Sequence, residues 1–258
     1  AATAATLIFS NNAAEGANNA ISSKPSAADW LAPTIEGSTN RFFNKICIIV
    51  PATAIDAPTN TMAKVRGRRL IISTWLLSFR LPEFGLTMPF QLGDFTQINL
   101  PLNEIMVARA VHYLDPQPHE RVADLFCGLG NFTLPLATRA AAVVGLEGSA
   151  ALTQRAVANA HANGLHNAQF ATADLFTTTP ATLAALGRFD KMLLDPPRAG
   201  AYAVVQALQA PYLPQRIVYI SCNPATFARD AAVLVGKGYR FKMAGMMNLF
   251  PQTSHVEA

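Results

Sequence analysis

The feature that most constrains the fold of this chain is a regular alternation of strand and helix signals from Pro82 onward. Short apolar runs predict strands at Arg121–Phe126, Ala142–Leu146, Ala168–Thr172, Lys191–Leu194, Arg216–Ser221 and Tyr239–Met247. Helical spacing of apolar residues predicts helices at Asn103–Leu114, Phe132–Ala142, Ala150–Ala162, Tyr202–Ala210 and Pro224–Gly236. This alternation is typical of an α/β fold with a doubly wound, Rossmann-like parallel sheet.

Residues 1–80 have a different texture, rich in Ala, Ser, Thr and Asn. The stretch Ala1–Ser26 has no sustained helical or strand period, and a short apolar run at Lys45–Val50 predicts an isolated strand. We therefore expect two regions: an irregular N-terminal segment of unknown fold over residues 1–80, and the α/β domain over residues 81–258.

Charge and cysteine content narrow the environment in which such a chain works. The formal net charge of +4 permits a polyanionic partner, although it fits an ordinary basic enzyme equally well. Three widely spaced cysteines offer neither a disulfide framework nor a metal-ligand cluster, which favours a reducing compartment. The apolar runs Ile46–Val50 and Leu70–Leu77 are too short to span a bilayer. We expect a cytoplasmic protein without a membrane partner.

The first predicted strand runs into a glycine-containing turn, Cys127-Gly128-Leu129-Gly130, before the next helix. Glycines in such a turn let the backbone approach a ligand closely. The third glycine of the dinucleotide pattern G-x-G-x-x-G is missing, so this turn has no need to hold a pyrophosphate. The pattern points away from NAD and FAD.

Three acidic residues end the successive strands that follow this turn. Glu147 stands where nucleotide-binding α/β folds bind ribose hydroxyls, Asp174 where an adenine amino group is met, and Asp195 beside the same crevice. Any one of them fits a helix N-cap or a solvated loop equally well. Together they predict a nucleoside ligand without phosphate, such as S-adenosylmethionine.

A candidate nucleophile, Cys222, ends the fifth strand immediately before a helix. Backbone N–H groups at a helix N-terminus stabilise a thiolate, so this position suits a reactive cysteine. Cys127 lies in the cofactor turn, where a small residue packs, and is interpreted as structural. After the sixth strand, His255 and Glu257 are both candidates for a general base, and their spacing does not choose between them.

These motifs, taken together, resemble the RNA (uracil-5-)methyltransferases, and the match runs in the family's order from about residue 82 to 258. The segments that carry the resemblance are Phe95–Asn99, Asp124–Gly128, Leu194–Arg198, Ile220–Pro224 and Phe250–Glu257. Gly130–Ala137 and Asn223–Asp230 are most similar to the branch that modifies uridine in 23S ribosomal RNA.

The resemblance implies an enzyme that methylates C5 of a uridine in 23S rRNA, with Cys222 as nucleophile and Glu257 as base. We expect the protein to be a monomer. The S-adenosylmethionine-binding residues that it implies are Gln97, Phe126, Asn131, Glu147, Asp174 and Asp195. Thiolate addition at C6 makes C5 nucleophilic enough to accept a methyl group. A base then removes the C5 proton, and the thiolate leaves.

The chain departs from the family pattern at both ends. Residues 1–80 show neither the N-terminal β-barrel nor the four-cysteine site of many relatives, so we expect no iron–sulfur cluster here. Relatives continue past the glutamate with a final antiparallel strand, so the sixth strand is expected to lack its neighbour. Two alternatives remain: another methyltransferase, such as a DNA base enzyme, given Asp195-Pro196-Pro197, and a truncated homologue that binds cofactor or RNA without turnover.

Overall fold

The computed structural model describes residues 4–11, 59–65, 68–74 and 77–247. The strands in chain order are β1 (Ala4–Asn11), β2 (Thr59–Val65), β3 (Arg68–Thr74), β4 (Leu77–Leu81), β5 (Leu86–Phe90), β6 (Arg121–Leu125), β7 (Ala142–Glu147), β8 (Ala168–Thr172), β9 (Lys191–Leu194), β10 (Arg216–Ser221) and β11 (Tyr239–Met247). The α-helices are α1 (Leu100–Leu114), α2 (Thr133–Ala137), α3 (Ala150–Ala162), α4 (Pro180–Ala185), α5 (Tyr202–Ala207) and α6 (Pro224–Gly236).

Seven of these strands form one sheet in the order β8-β7-β6-β9-β10-β1-β11. The five strands from β8 to β10 pair in parallel. Successive residues of β6 face opposite sides: Val122 belongs to the core shared with α1 and α2, and Ala123 to the core shared with α5. A sheet buried on both faces reads as a continuous apolar run, as these strands do. The predicted doubly wound α/β fold is confirmed.

The N-terminal strand β1 differs most from expectation. It lies antiparallel between β10 and β11, with Ala5 opposite both Ser221 and Met246. The prediction that the sixth strand of the α/β domain, β11, lacks its neighbour is therefore wrong. The expectation of an irregular Ala1–Ser26 is also wrong for residues 4–11, because the consecutive apolar residues Leu7, Ile8 and Phe9 belong to a strand that pairs with β10 and β11 on either side.

Two hairpins precede the main helices. β2 pairs with β3 and β4 with β5, so residues 59–90 contain more regular structure than the sequence suggested. The β4–β5 hairpin packs into the core, with Leu81 and Met88 fully buried alongside Met106 of α1. The expected boundary between residues 80 and 81 falls inside β4, and the division of the chain there stays a prediction.

Three helices differ in length from prediction. α1 begins at Leu100, because the Asn99 side chain caps it and Pro101 fits its first turn. α2 and α5 end earlier than expected, at Ala137 and Ala207.

Some predictions concern residues outside the described ranges. These are the strand at Lys45–Val50 and the candidate bases His255 and Glu257. Within the described ranges, none of the helices is both long enough and apolar enough to cross a membrane.

Candidate active site

A cavity of about 380 Å³ opens at the edge of the sheet where the parallel strands end. That volume is in the usual range for small-ligand sites. The cavity brings together all the described residues predicted for cofactor binding and catalysis: Gln97, Phe126, Asn131, Glu147, Asp174, Asp195 and Cys222. The carboxyl ends of parallel strands meet at one edge of a sheet, which explains how Phe126 and Cys222, 96 positions apart, share one site.

Glu147 is fixed in the wall of this cavity by two backbone amides. Its Oε2 accepts a hydrogen bond from Gly128 N at 3.0 Å, and its Oε1 accepts one from Ser149 N at 2.9 Å. Each carboxylate oxygen keeps a further lone pair for a ligand hydroxyl. The glycine turn thus also positions the Glu147 carboxylate, through the backbone amide of Gly128.

Two aromatic rings form an apolar part of the cavity wall. Phe126 has a φ of 67°, in the left-handed region that side chains rarely adopt, so β6 ends one residue earlier than predicted. Its ring lies 5.8 Å from that of Phe176, between centroids, at 56°. Backbone strain of this kind clusters at ligand sites. Asp174 lies beside Phe176, and its Oδ1 accepts a hydrogen bond from Phe176 N, so the capping interpretation also holds for this residue.

Asn131 is held by a partner that the sequence did not single out. Its side-chain amide exchanges two hydrogen bonds with that of buried Asn103 in α1, at 3.0 and 2.9 Å. The loop that carries Gln97 is fixed by Asp94, whose carboxylate accepts from Arg155 Nε at 3.2 Å. Asparagine and glutamine are common on loops and in caps, so no spacing signal distinguishes these partners.

Two titratable groups lie behind the glycine turn. Asp124 is fully buried, and burial raises the pKa of its carboxyl from about 3.8 to about 7. Its Oδ2 accepts from Thr133 Oγ1 at 2.5 Å, and its Oδ1 has no hydrogen-bond partner among the described residues. Cys127 is also buried, and burial raises the pKa of its thiol well above the usual range. A thiol held neutral packs as a small apolar group, as predicted for Cys127.

Cys222 occupies the opposite wall. It follows β10 directly and is half-buried, two residues before Pro224 begins α6. Ser221 and Asn223 shape the turn, because Ser221 Oγ accepts from Asn223 N and donates to Asn223 O, both at 3.1 Å. Cys127 and Cys222 both line the cavity, but Cys222 is the more exposed of the two thiols.

The strand before residues 248–258 ends at the same edge of the sheet. Since β1 runs antiparallel to both β10 and β11, Ser221 and Met246 stand level with each other across Ala5. Strands two positions apart are separated by about 10 Å. The chain therefore leaves β11 close to the edge that carries Cys222.

Within residues 4–11, 59–65, 68–74 and 77–247, His, Cys, Asp and Glu residues form no group of three or more that could hold a metal ion. The cavity is lined instead by carboxylates, amides and aromatic rings. These groups suit an organic ligand.

Comparison with known sequences places the cavity in context. A sequence model of the tRNA (uracil-5-)-methyltransferase family matches residues 53–258. The 23S rRNA (uracil(1939)-C(5))-methyltransferase RlmD of Neisseria lactamica is 58% identical over 183 residues, which is 70% of this chain and 40% of that protein. RlmD of Aromatoleum aromaticum is 59% identical over 184 residues, 70% of this chain and 42% of its own length. The chain spans about two fifths of the length of these curated relatives.

One solved structure agrees with these sequence matches. The tRNA (uracil-54, C5)-methyltransferase of Pyrococcus abyssi, in complex with S-adenosyl-L-homocysteine, superposes with a TM-score of 0.60 and 30% identity. The match covers 70% of this chain and 43% of that one.

Proposed function

This chain belongs to the tRNA (uracil-5-)-methyltransferase family, and from that premise we propose that it transfers a methyl group from S-adenosylmethionine to C5 of a uridine in 23S rRNA. The observation that carries the proposal is the shared cavity, which has the Glu147 carboxylate on one wall and Cys222 on the other. A nucleoside site and a cysteine facing the same space are what a covalent route to C5 methylation requires.

The residues of the cavity fit S-adenosylmethionine. Fixed Glu147 would accept hydrogen bonds from the ribose hydroxyls, and exposed Asp174 would meet the adenine amino group. The rings of Phe126 and Phe176 would cover the adenine face. Gln97, Asn131 and Asp195 complete the proposed contacts. When bound, the cofactor supplies an electrophilic methyl group on a sulfonium.

The chemistry of the chain's own residues centres on Cys222. Its thiolate adds to C6 of uracil, forming an S–C6 bond, and the electrons of the C5–C6 double bond pass to an enolate that makes C5 nucleophilic. After C5 is methylated, a base removes its proton, the C5–C6 double bond re-forms and the thiolate departs. We assign the base to Glu257, which lies outside the described residues. The course of β11 towards the Cys222 edge supports this assignment.

The proposed substrate is a base taken out of its stack. A uracil paired or stacked in RNA cannot present C6 to a thiol inside a cavity, so the nucleotide has to be flipped out. The sequence likeness to two RlmD proteins favours 23S rRNA over tRNA or DNA. We also propose that the protein is a monomer and acts in the cytoplasm.

The experiment is covalent trapping on a 23S rRNA fragment that contains 5-fluorouridine, with S-adenosylmethionine. Fluorine at C5 does not leave as a proton, so turnover stalls with the protein attached. We expect a denaturation-resistant adduct that requires the cofactor, disappears in Cys222→Ala and persists in Cys127→Ala. In Glu257→Gln, ordinary uridine should also accumulate the methylated adduct.

Two outcomes count against the proposal. Cofactor binding without any adduct would favour a homologue that binds without turnover. Methyl transfer that survives Cys222→Ala would favour a non-covalent route, such as methylation of a base amino group.

A further inference from the structure

A buried carboxylate outside the cavity, Asp230 of α6, is surrounded by donors. Its Oδ2 accepts from Ala201 N and from Tyr219 Oη, each at 2.7 Å. Its Oδ1 accepts from Arg229 Nε at 2.8 Å, and Arg229 Nη2 stands at the same distance. Burial and this carboxylate raise the pKa of Tyr219 well above its usual range, so its hydroxyl remains a donor. A buried carboxylate that accepts from four donor atoms holds the groups around it in place.

The same helix holds the loop that follows Asp195-Pro196-Pro197. Arg229 Nη2 donates to Ala199 O at 2.9 Å. Arg198 O accepts from Thr226 Oγ1 at 3.0 Å and from Asn223 Nδ2 at 3.1 Å. Three residues of the loop, Arg198, Ala199 and Ala201, are thus held by α6 and its N-cap.

The approach of this loop to α6 is so close that it requires a glycine. Gly200 has a φ of 79°, and a Cβ there would lie 2.6 Å from Asp230 Oδ2 and 2.7 Å from Arg229 Nη2. The backbone is therefore packed directly onto the ion pair, and any side chain would displace one or the other.

The two segments joined in this way form one wall of the cavity. Asp195, Pro196 and Pro197 precede the held loop, and Cys222 precedes Asn223, the N-cap of α6. We infer that Arg229 and Asp230 are positioning residues that set the place of Cys222 relative to the Asp195–Pro197 wall. This inference rests on the proposed function. Misplacement of a reacting group by about 1 Å can cost about 100-fold in rate, so such a clamp would act on the chemical step.

The test compares wild type with the variants Arg229→Gln, Arg229→Lys and Gly200→Ala. The control is Arg139→Gln, which replaces an exposed arginine that follows α2. The Arg229 side chain is 43% exposed, but its replacement by Gln leaves buried Asp230 without a counter-charge, so each rate is divided by the folded fraction measured by urea titration. We expect the rate of 5-fluorouridine adduct formation at saturating RNA and cofactor to fall about 10- to 100-fold in Arg229→Gln and Gly200→Ala. Arg229→Lys should recover part of it, while KM for RNA and the Kd for S-adenosylmethionine stay within about twofold.

A second readout does not depend on RNA. In the free protein, the alkylation of Cys222 by iodoacetamide is followed by mass spectrometry. It should become about threefold faster in Arg229→Gln and Gly200→Ala, because a released loop exposes the thiol, and should not change in Arg139→Gln. Wild-type rates in Arg229→Gln and Gly200→Ala, or losses that match the unfolded fraction, would overturn the inference. Absence of adduct in wild type with altered alkylation in the variants would reject the proposed function and keep the clamp.

Discussion

The two halves of the sheet build their parts of the cavity in different ways. On the cofactor side, β6, β7 and β8 follow each other within residues 121–172, and Glu147 is held by backbone amides from neighbouring turns. On the nucleophile side, β10 pairs with β1, a strand that is distant from it in sequence. The loop after Asp195-Pro196-Pro197 is held by Asp230 of α6, the helix that follows β10.

The buried carboxylates of the two halves show the same contrast. Asp124 has one oxygen without a partner among the described residues, whereas Asp230 has four donors. An unsatisfied carboxylate favours its neutral form, while a fully satisfied one holds its surroundings in place. The two halves thus differ in the sequence span of their strand pairing: β6, β7 and β8 are consecutive strands, whereas β1 joins the nucleophile half across 216 positions, from Ala5 to Ser221.

The largest effect should come from breaking the long-range half at β1. Leu7→Pro removes a backbone N–H from a strand paired on both sides, opposite Tyr219 and Ala244. We expect methyl transfer to fall by more than about 100-fold, because Cys222 is carried by β10. Hydrogen exchange should show lost protection in β10 and β11 and retained protection in β6 and β7.

Leu7→Val keeps the N–H and serves as the matched control, with expected activity close to wild type. Equal loss of protection in all seven strands would show that the two halves do not differ in the way described.

The next effect sharpens the comparison from the cofactor side. Glu147→Gln removes the charge that binds Gly128 N and Ser149 N, and charge-assisted hydrogen bonds contribute about 1.5–3 kcal/mol. We expect the Kd for S-adenosylmethionine, measured by calorimetry, to rise about 10- to 100-fold. Glu104→Gln, on the exposed face of α1, is the control. If the rate of adduct formation in Glu147→Gln at saturating cofactor fell by the same factor as the affinity, the cofactor side would not act separately from the Cys222 side.

A smaller effect is expected at the amide pair. Asn103→Ala leaves the Asn131 side chain without its reciprocal hydrogen bonds, which should lower the free energy of unfolding by about 1–3 kcal/mol and weaken cofactor binding a few-fold. Asn167→Ala is the control: it also removes two hydrogen bonds, to Ala137 O and Ala140 O, but lies away from the cavity. Urea titration and calorimetry should show both variants destabilised and only Asn103→Ala weaker in binding.

The smallest effect on activity is expected from a change that alters how stability depends on pH. Folded Asp124 keeps its proton up to about pH 7, whereas the unfolded chain releases it near 3.8. The stability that this proton contributes is complete below the lower value and is lost as pH rises to the higher one. In Asp124→Asn that dependence should disappear, so the free energy of unfolding of the variant should rise relative to that of wild type by about 2–3 kcal/mol between pH 5 and 8. A constant difference across this range would contradict the raised pKa.

Local signals were enough to predict most of the elements. The bounds of α3, β8, β9, β10, α6 and β11 agree with prediction residue for residue. Their caps explain why: Ser149 and Asn223 accept hydrogen bonds from the first turns of α3 and α6. α5 was predicted too long, since Pro211 disfavours helix at the residue before it.

The site was predicted less completely than the fold. Acids and a cysteine at strand ends indicated the cavity, because position along parallel strands is enough to bring them together. Asn103 and Asp230 were missed as supporting residues, since Asn103 bonds Asn131 28 positions away and Asp230 bonds Ala201 29 positions away. The left-handed backbone conformation of Phe126 could not be predicted either, because the residues that commonly adopt it are glycine and asparagine. β1 was missed because a strand's partners are set by the tertiary fold rather than by its own sequence.

The place of β1 also has a consequence for how the protein is made. A ribosome produces β1 before the other strands and helices that the structure describes, yet Ala5 pairs with Ser221 and Met246. Closing so long a segment of chain costs roughly 5 kcal/mol in entropy, so β1 waits while the local strands assemble. Until then it is an open edge that other chains can join. A newly made molecule would gain its cofactor site first and its reactive cleft last.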